Sequence, residues 1–150
     1  MPSHPRCSGP TDAKRSSGTT EVLNFRDVTP RVAFRSVALE SEQRPWGSWH
    51  VIDAEDGFKI KRIHVNPRSR LSYQSHQHRS EHWVVIAGVA TCTIDGQVVT
   101  AGPGESVDVP LAAKHRLANE GSEELVIVEV QRGGYTGEDD IERFDDDYGR

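Results

Sequence analysis

The sequence predicts an all-β domain, an antiparallel sandwich or barrel, behind an N-terminal extension. Three observations carry this. Seven short runs between residues 49 and 130 are rich in β-branched and aromatic residues, and most end at Gly, Pro, Asp or Asn. Asp95-Gly96 separates two of these runs and is a strong two-residue hairpin signal. No stretch sustains an apolar period of 3.6 residues, so no amphipathic helix is expected.

Taken in order, residues 1–20 are rich in Ser, Thr, Gly and Pro and carry no hydrophobic pattern. Such a stretch cannot bury enough apolar surface to offset its chain entropy, and disorder is expected there. Residues 21–43 hold scattered apolar residues and read as an arm against the domain or a partner subunit. The extension is thus set at 1–43 and the domain at 44–150. The predicted strands are WHVID (49–53), FKIKRIHV (58–65), EHWVVIAG (81–88), VATCTI (89–94), QVVT (97–100), SVDV (106–109) and ELVIVEV (124–130). Residues 136–150 carry 7 acidic and 2 basic side chains. They read as a solvated acidic tail.

Composition narrows the function. The chain has 150 residues and a formal net charge of −5. That is one domain, with no general attraction to nucleic acid or acidic lipid. No apolar run reaches the roughly 18–20 residues of a membrane span, and the first residues lack the apolar core of a signal peptide. Cys7 and Cys92 are too few for a disulfide scaffold. A cytoplasmic location is expected. A core of this size is expected to be supported by a metal or by a homodimer contact.

Histidines carry the chemical signal. There are seven, and three crowd into Gln74-Ser75-His76-Gln77-His78-Arg79-Ser80-Glu81-His82. Alternation along an extended segment puts Gln74, His76 and His78 on one face. A return of the chain after His78 brings Glu81 beside His76. Imidazole and carboxylate on adjacent strands suit a divalent cation. His115, after a Pro-bounded turn, is the candidate further ligand. The spacing alone does not separate such a site from a solvated polar turn.

Two motifs decide more. Glu81-x6-Gly88 resembles the end of the first cupin motif, and Gly104-x5-Pro110-x-Ala112-x2-His115-x3-Asn119 resembles the second, with Ala112 in place of its middle glycine. Both together imply a cupin jelly-roll barrel. In the cupin register the ligand pair ahead of Glu81 falls on Gln74 and His76, so the resemblance implies Gln74, His76, Glu81 and His115 as the metal set. Further segments extend the likeness: Arg44-Pro45-Trp46-Gly47-Ser48-Trp49, Phe58 to Ile63, His78-Arg79-Ser80-Glu81-His82-Trp83, Glu129-Val130-Gln131, Gly137 to Ile141 and Tyr148-Gly149-Arg150. Over residues 44–150 the chain resembles the type II mannose-6-phosphate isomerases. In many members this domain is the C-terminal half of an enzyme that also makes GDP-mannose. The 43 residues ahead of it here are too few for a nucleotidyltransferase.

The resemblance implies a metal-dependent isomerase interconverting mannose 6-phosphate and fructose 6-phosphate through a cis-enediol, with zinc the expected ion. His78 is the first choice of general base, with Lys61, Glu138 and Asp139 as rivals. The phosphate would need a cationic subsite. Arg79 and Arg132 are favoured for it over Arg62, Lys114 and Arg143, with Arg132 also a catalytic candidate and Glu138 a substrate contact. The likeness also has the acidic tail fold over the mouth of the barrel. Two other readings stay open: a regulatory cupin that binds metal and a sugar phosphate without turnover, and a cupin dioxygenase, against which Gln74 counts.

Overall fold

The computed structural model describes residues 39–149; the expected disordered segment and most of the arm lie outside the described residues. The elements are β1 (Glu40–Arg44), β2 (Gly47–Glu55), β3 (Phe58–Val65), β4 (Ser69–Arg70), β5 (Tyr73–His76), β6 (Arg79–Ala87), β7 (Ala90–Ile94), β8 (Gln97–Ala101), β9 (Ser106–Val109), β10 (His115–Asn119), β11 (Leu125–Gly133), a 3-10 turn at Glu138–Asp140, and β12 (Ile141–Asp145). They form two antiparallel sheets, β1-β2-β3-β11-β6-β9 and β12-β5-β10-β7-β8, with β4 also paired to β10. Among the described residues no helix is long and apolar enough to cross a membrane.

All seven predicted strands are present. β1 starts at Glu40, four residues ahead of the domain boundary read from the sequence. Its residues ESEQR are nearly all exposed, as a charged edge strand should be. At the hairpin between β7 and β8, Asp95 and Gly96 both have positive φ, 47° and 82°. This is the turn that matches strand twist.

Strand alternation builds the interior in two halves. On β11 the inward residues are Leu125, Ile127, Glu129 and Gln131, all buried. Ile127 lies level with Ile63 of β3 and Val85 of β6, while Glu129 lies level with Lys61 and Trp83, and Gln131 with Glu81. One end of the sandwich is therefore a dry core around Trp49, Ile63, Val65, Val85, Leu117, Leu125 and Ile127. The other end is polar, although just as deeply buried.

Ala112 has φ +61°, the left-handed region, at the position where the second cupin motif carries glycine. Its amide donates to the carbonyl of His76 at 3.0 Å, which ties this turn to β5. A Cβ in that conformation costs about 1–2 kcal/mol. Ala112→Gly is therefore expected to raise the urea midpoint, through a gain of about 1 kcal/mol in stability less the added freedom of the unfolded chain. An unchanged or lower midpoint would show that the turn carries no strain.

Candidate metal centre

Three elements converge on the polar end. β5 supplies His76, β6 supplies Glu81 and β10 supplies His115, each almost wholly buried. One ligand atom from each lies within 4.8 Å of the others. His76 Nε2 is 3.0 Å from Glu81 Oε1, and His115 Nε2 is 3.6 Å from Glu81 Oε2. Gln74 lies opposite His115 in the ladder, so both face inward. Its amide nitrogen is 3.5 Å from His76 Nε2, and its oxygen accepts the Ser72 hydroxyl at 2.7 Å.

These residues fit a divalent cation. His115 Nδ1 lies 2.9 Å from the Ala113 carbonyl, which fixes the proton on Nδ1. Its Nε2 is buried and has no hydrogen-bond partner. A buried lone pair of that kind, beside a carboxylate and a second imidazole, is what a metal ion satisfies.

A second layer holds the ligands. The Trp83 indole donates to Glu81 Oε2 and to Glu129 Oε2, at 3.1 Å each. Gln131 Nε2 donates to Glu129 Oε1 at 2.8 Å. Arg79 is buried; its Nε donates to Glu81 Oε1 at 3.2 Å and its Nη1 to the Gly137 carbonyl at 2.9 Å. Burial alone would raise the Glu81 carboxyl, but the His76 hydrogen bond and the charges of His115, His76 and Arg79 hold it below the usual carboxylate range. For Glu129 the charges of Lys61 and Arg79 pull the same way but are outweighed. Burial first, and the Glu81 charge second, push it up to about 8. Burial lowers His115, which keeps its imidazole neutral and able to ligate. Glu129 and Gln131 were missed as site residues. The signal was present, since alternation puts them in the same inward row as Leu125 and Ile127.

The remaining candidates separate. Lys61 is buried and paired with Glu138, and both line a pocket beside the cluster. Glu138 is itself held below the ordinary carboxylate range: burial raises it, but Lys61 lowers it further. His78 does not join them. β5 ends at His76, so alternation stops there. The His78 ring is 63% exposed and bonds Asp140 Oδ1 at 2.7 Å. Arg132 also lies elsewhere: it is exposed, one residue out of phase with Gln131, in an outer groove with Ser80, His82 and Asp108. Arg62 falls on the outer parity of β3, and Lys114 stacks on Phe144. The acidic tail is no loose end. β12 pairs with β5, and Arg70–Asp147 and Arg116–Asp145 pairs fasten it.

Residues 36–146 match the family model described as mannose-6-phosphate isomerase C-terminal. The chain belongs to that family. Its relatives include the mannose-1-phosphate guanylyltransferase of Escherichia coli K12, 51% identical over 107 residues, and the alginate biosynthesis protein AlgA of Pseudomonas syringae, 50% identical over the same length. Each alignment covers 71% of this chain but 22% of the relative, so the chain spans about a fifth of their length. A solved Klebsiella pneumoniae protein with a double-stranded β-helix domain matches at TM-score 0.55 and 24% identity, covering 59% of this chain and 77% of that one. It supports the cupin jelly-roll fold.

For a mannose-6-phosphate isomerase C-terminal domain, the expected isomerase activity now needs correction. The relatives from Escherichia coli K12 and Salmonella typhimurium are named mannose-1-phosphate guanylyltransferase, for a nucleotidyl transfer and not for an aldose–ketose isomerisation. The physical reason for the misreading is plain. Ligand motifs specify an ion, and they say nothing about which bond changes beside it.

Proposed function

We propose that this domain is a metal-centred mannose-phosphate-binding module that serves a mannose-1-phosphate guanylyltransferase. One observation carries the reading: the buried His76, Glu81 and His115 cluster borders a pocket lined by Arg44, Lys61, Arg79 and Arg143. The cationic lining suits an anionic ligand. The half-identical relatives named for this transfer supply the sugar phosphate. His76, Glu81 and His115 would hold the ion, with Gln74 beside them as the fourth ligand. Two imidazoles, one carboxylate and one amide favour zinc over harder ions. The ion, when bound, supplies a Lewis-acidic centre that holds sugar oxygens. Trp83 and Arg79 hold the Glu81 carboxylate in place, and the Lys61–Glu138 pair closes the cavity wall.

The test is calorimetric titration of mannose 1-phosphate into the chain, metal-free and then loaded with zinc. Binding is expected only with zinc present. Equal binding with and without metal, or none with either, would sink the proposal.

A further inference from the structure

We infer that Asp140 is a positioning residue for the metal centre. It clamps the turn ahead of β12 so that two backbone carbonyls of that turn hold His76 and, through Arg79, Glu81. The inference rests on the metal reading of His76, Glu81 and His115, and on no ligand of the pocket. Gly137 to Ile141 belong to the family likeness, yet none of them joins the ligand cluster.

His76 and Glu81 stand on either side of the chain reversal between β5 and β6. The reversal itself, Gln77 and His78, lies outside the strands, so its amides need acceptors from elsewhere. Asp140 supplies them. Its carboxylate is 4% exposed and accepts from the Gln77 amide at 3.3 Å on Oδ1 and from the His78 amide at 3.1 Å on Oδ2. The His78 ring meets the same carboxylate, with Nδ1 2.7 Å from Oδ1. One side chain of the 3-10 turn is thus pinned at three points to the reversal between two ligand strands.

The pinned turn presents its carbonyls to the ligands. The Asp140 carbonyl lies 3.4 Å from His76 Nδ1. An Nδ1–H aimed at it leaves the lone pair on Nε2, the nitrogen 3.0 Å from Glu81 Oε1. The Gly137 carbonyl accepts from Arg79 Nη1 at 2.9 Å, and Arg79 Nε donates to Glu81 Oε1 at 3.2 Å. The Asp140 amide donates back to the Gly137 carbonyl at 3.2 Å, which ties the two carbonyls together. The carbonyl that orients His115 comes from Ala113, two residues away. The one beside His76 comes from 64 positions away, and its own carboxylate keeps it there. Loss of such an outer partner commonly weakens metal binding by about 10–100-fold.

The experiment measures zinc affinity by competition with a chromophoric chelator, and thermal melting of the chelated protein, in wild type, Asp140→Ala, Asp140→Asn and Asp147→Asn. Asp140→Ala should weaken zinc binding by about tenfold or more and shift the visible bands of the cobalt-loaded protein. Asp140→Asn keeps the shape and one acceptor oxygen, and should stay within about threefold of wild type. Asp147→Asn should bind zinc like wild type, since Asp147 ties the same tail to Arg70 instead. An Asp140→Ala protein that melts lower without metal yet binds zinc like wild type would overturn the proposal and leave Asp140 a structural cap. Equal losses in Asp140→Ala and Asp140→Asn would overturn it as an effect of charge, and an equal loss in Asp147→Asn as a general loosening of the tail. If Asp140→Ala does not fold, Asp140→Glu keeps the charge and displaces the carboxylate. It carries the same tenfold expectation, and wild-type zinc affinity in it overturns the proposal. A wild-type protein with no zinc affinity would remove the metal reading itself, and this inference with it.

Discussion

His115→Ala should leave the protein unable to hold its metal. His115 comes from β10, in the sheet opposite Glu81, and closes the cluster across the sandwich. The Ala113 carbonyl fixes its tautomer, so the Nε2 lone pair is aimed before any ion arrives. Removing even a supporting partner of a ligand commonly costs 10–100-fold in affinity, and removing the ligand itself should cost about 100-fold or more. Zinc content after dialysis against a buffered low free-zinc solution reads this directly. His82→Ala is the matched control. His82 lies on the same strand as Glu81 but faces out and pairs with Asp108 at 2.6 Å, so its loss should leave zinc content unchanged. A His115→Ala protein with full occupancy would show that the ligand set is wrong.

Glu129→Gln should stabilise the metal-free protein, and only above acidic pH. In the fold this carboxyl is pushed up to about 8, against an ordinary value of 4.5, chiefly by burial. A raised carboxyl contributes its full share of stability below about pH 4.5. That share is lost progressively as pH rises toward 8, because the unfolded chain ionises first. At pH 8 the accumulated loss is on the order of a few kcal/mol. Glutamine has the shape of the protonated acid and no proton to lose. The Trp83 indole N–H can still donate to its oxygen. The Gln131 amide, whose Oε1 has no partner, can turn over to accept from the new NH₂. Thermal melts of chelated protein at pH 4 and pH 8 should therefore show no difference at the first and a higher midpoint for the variant at the second. A variant less stable than wild type at pH 8 would mean that Glu129 is held as a needed anion.

Most of the fold was legible because its strands announce themselves in composition. FKIKRIHV and SVDV coincide with β3 and β9 residue for residue. Asp95-Gly96 fixed one hairpin outright. The strands that escaped were β1, β4, β5, β10 and β12; of these β1, ESEQR, and β12, IERFD, are polar and mostly exposed. Their conformation comes from an open edge in the neighbouring sheet, a tertiary fact with no local signature. The site shows the same division. His76, Glu81 and His115 follow from motif spacing. His78 was placed by extending alternation two residues beyond the end of its strand. Arg132 could have been excluded, since the parity that turns Gln131 inward turns Arg132 out. The partner of Lys61 could not be read, because Glu138 is 77 positions away and reaches it only through the closing turn before β12.

The place of β11 between β3 and β6 has a consequence for how the molecule is made. During synthesis, residues 58–65 and 79–87 leave the ribosome long before residues 125–133, and until then β3 is paired on one side alone, with β2, and β6 on one side alone, with β9. β5, which carries Gln74 and His76, waits longer still for β12. The nascent chain thus exposes two apolar, unpaired strand edges for more than 35 residues of elongation, and such edges invite chaperones or self-association. A metal ion supplied early would meet single histidines on an open chain. The three-sided grip needs β10 as well as β5 and β6, so metal capture would follow the synthesis of residues 115–119.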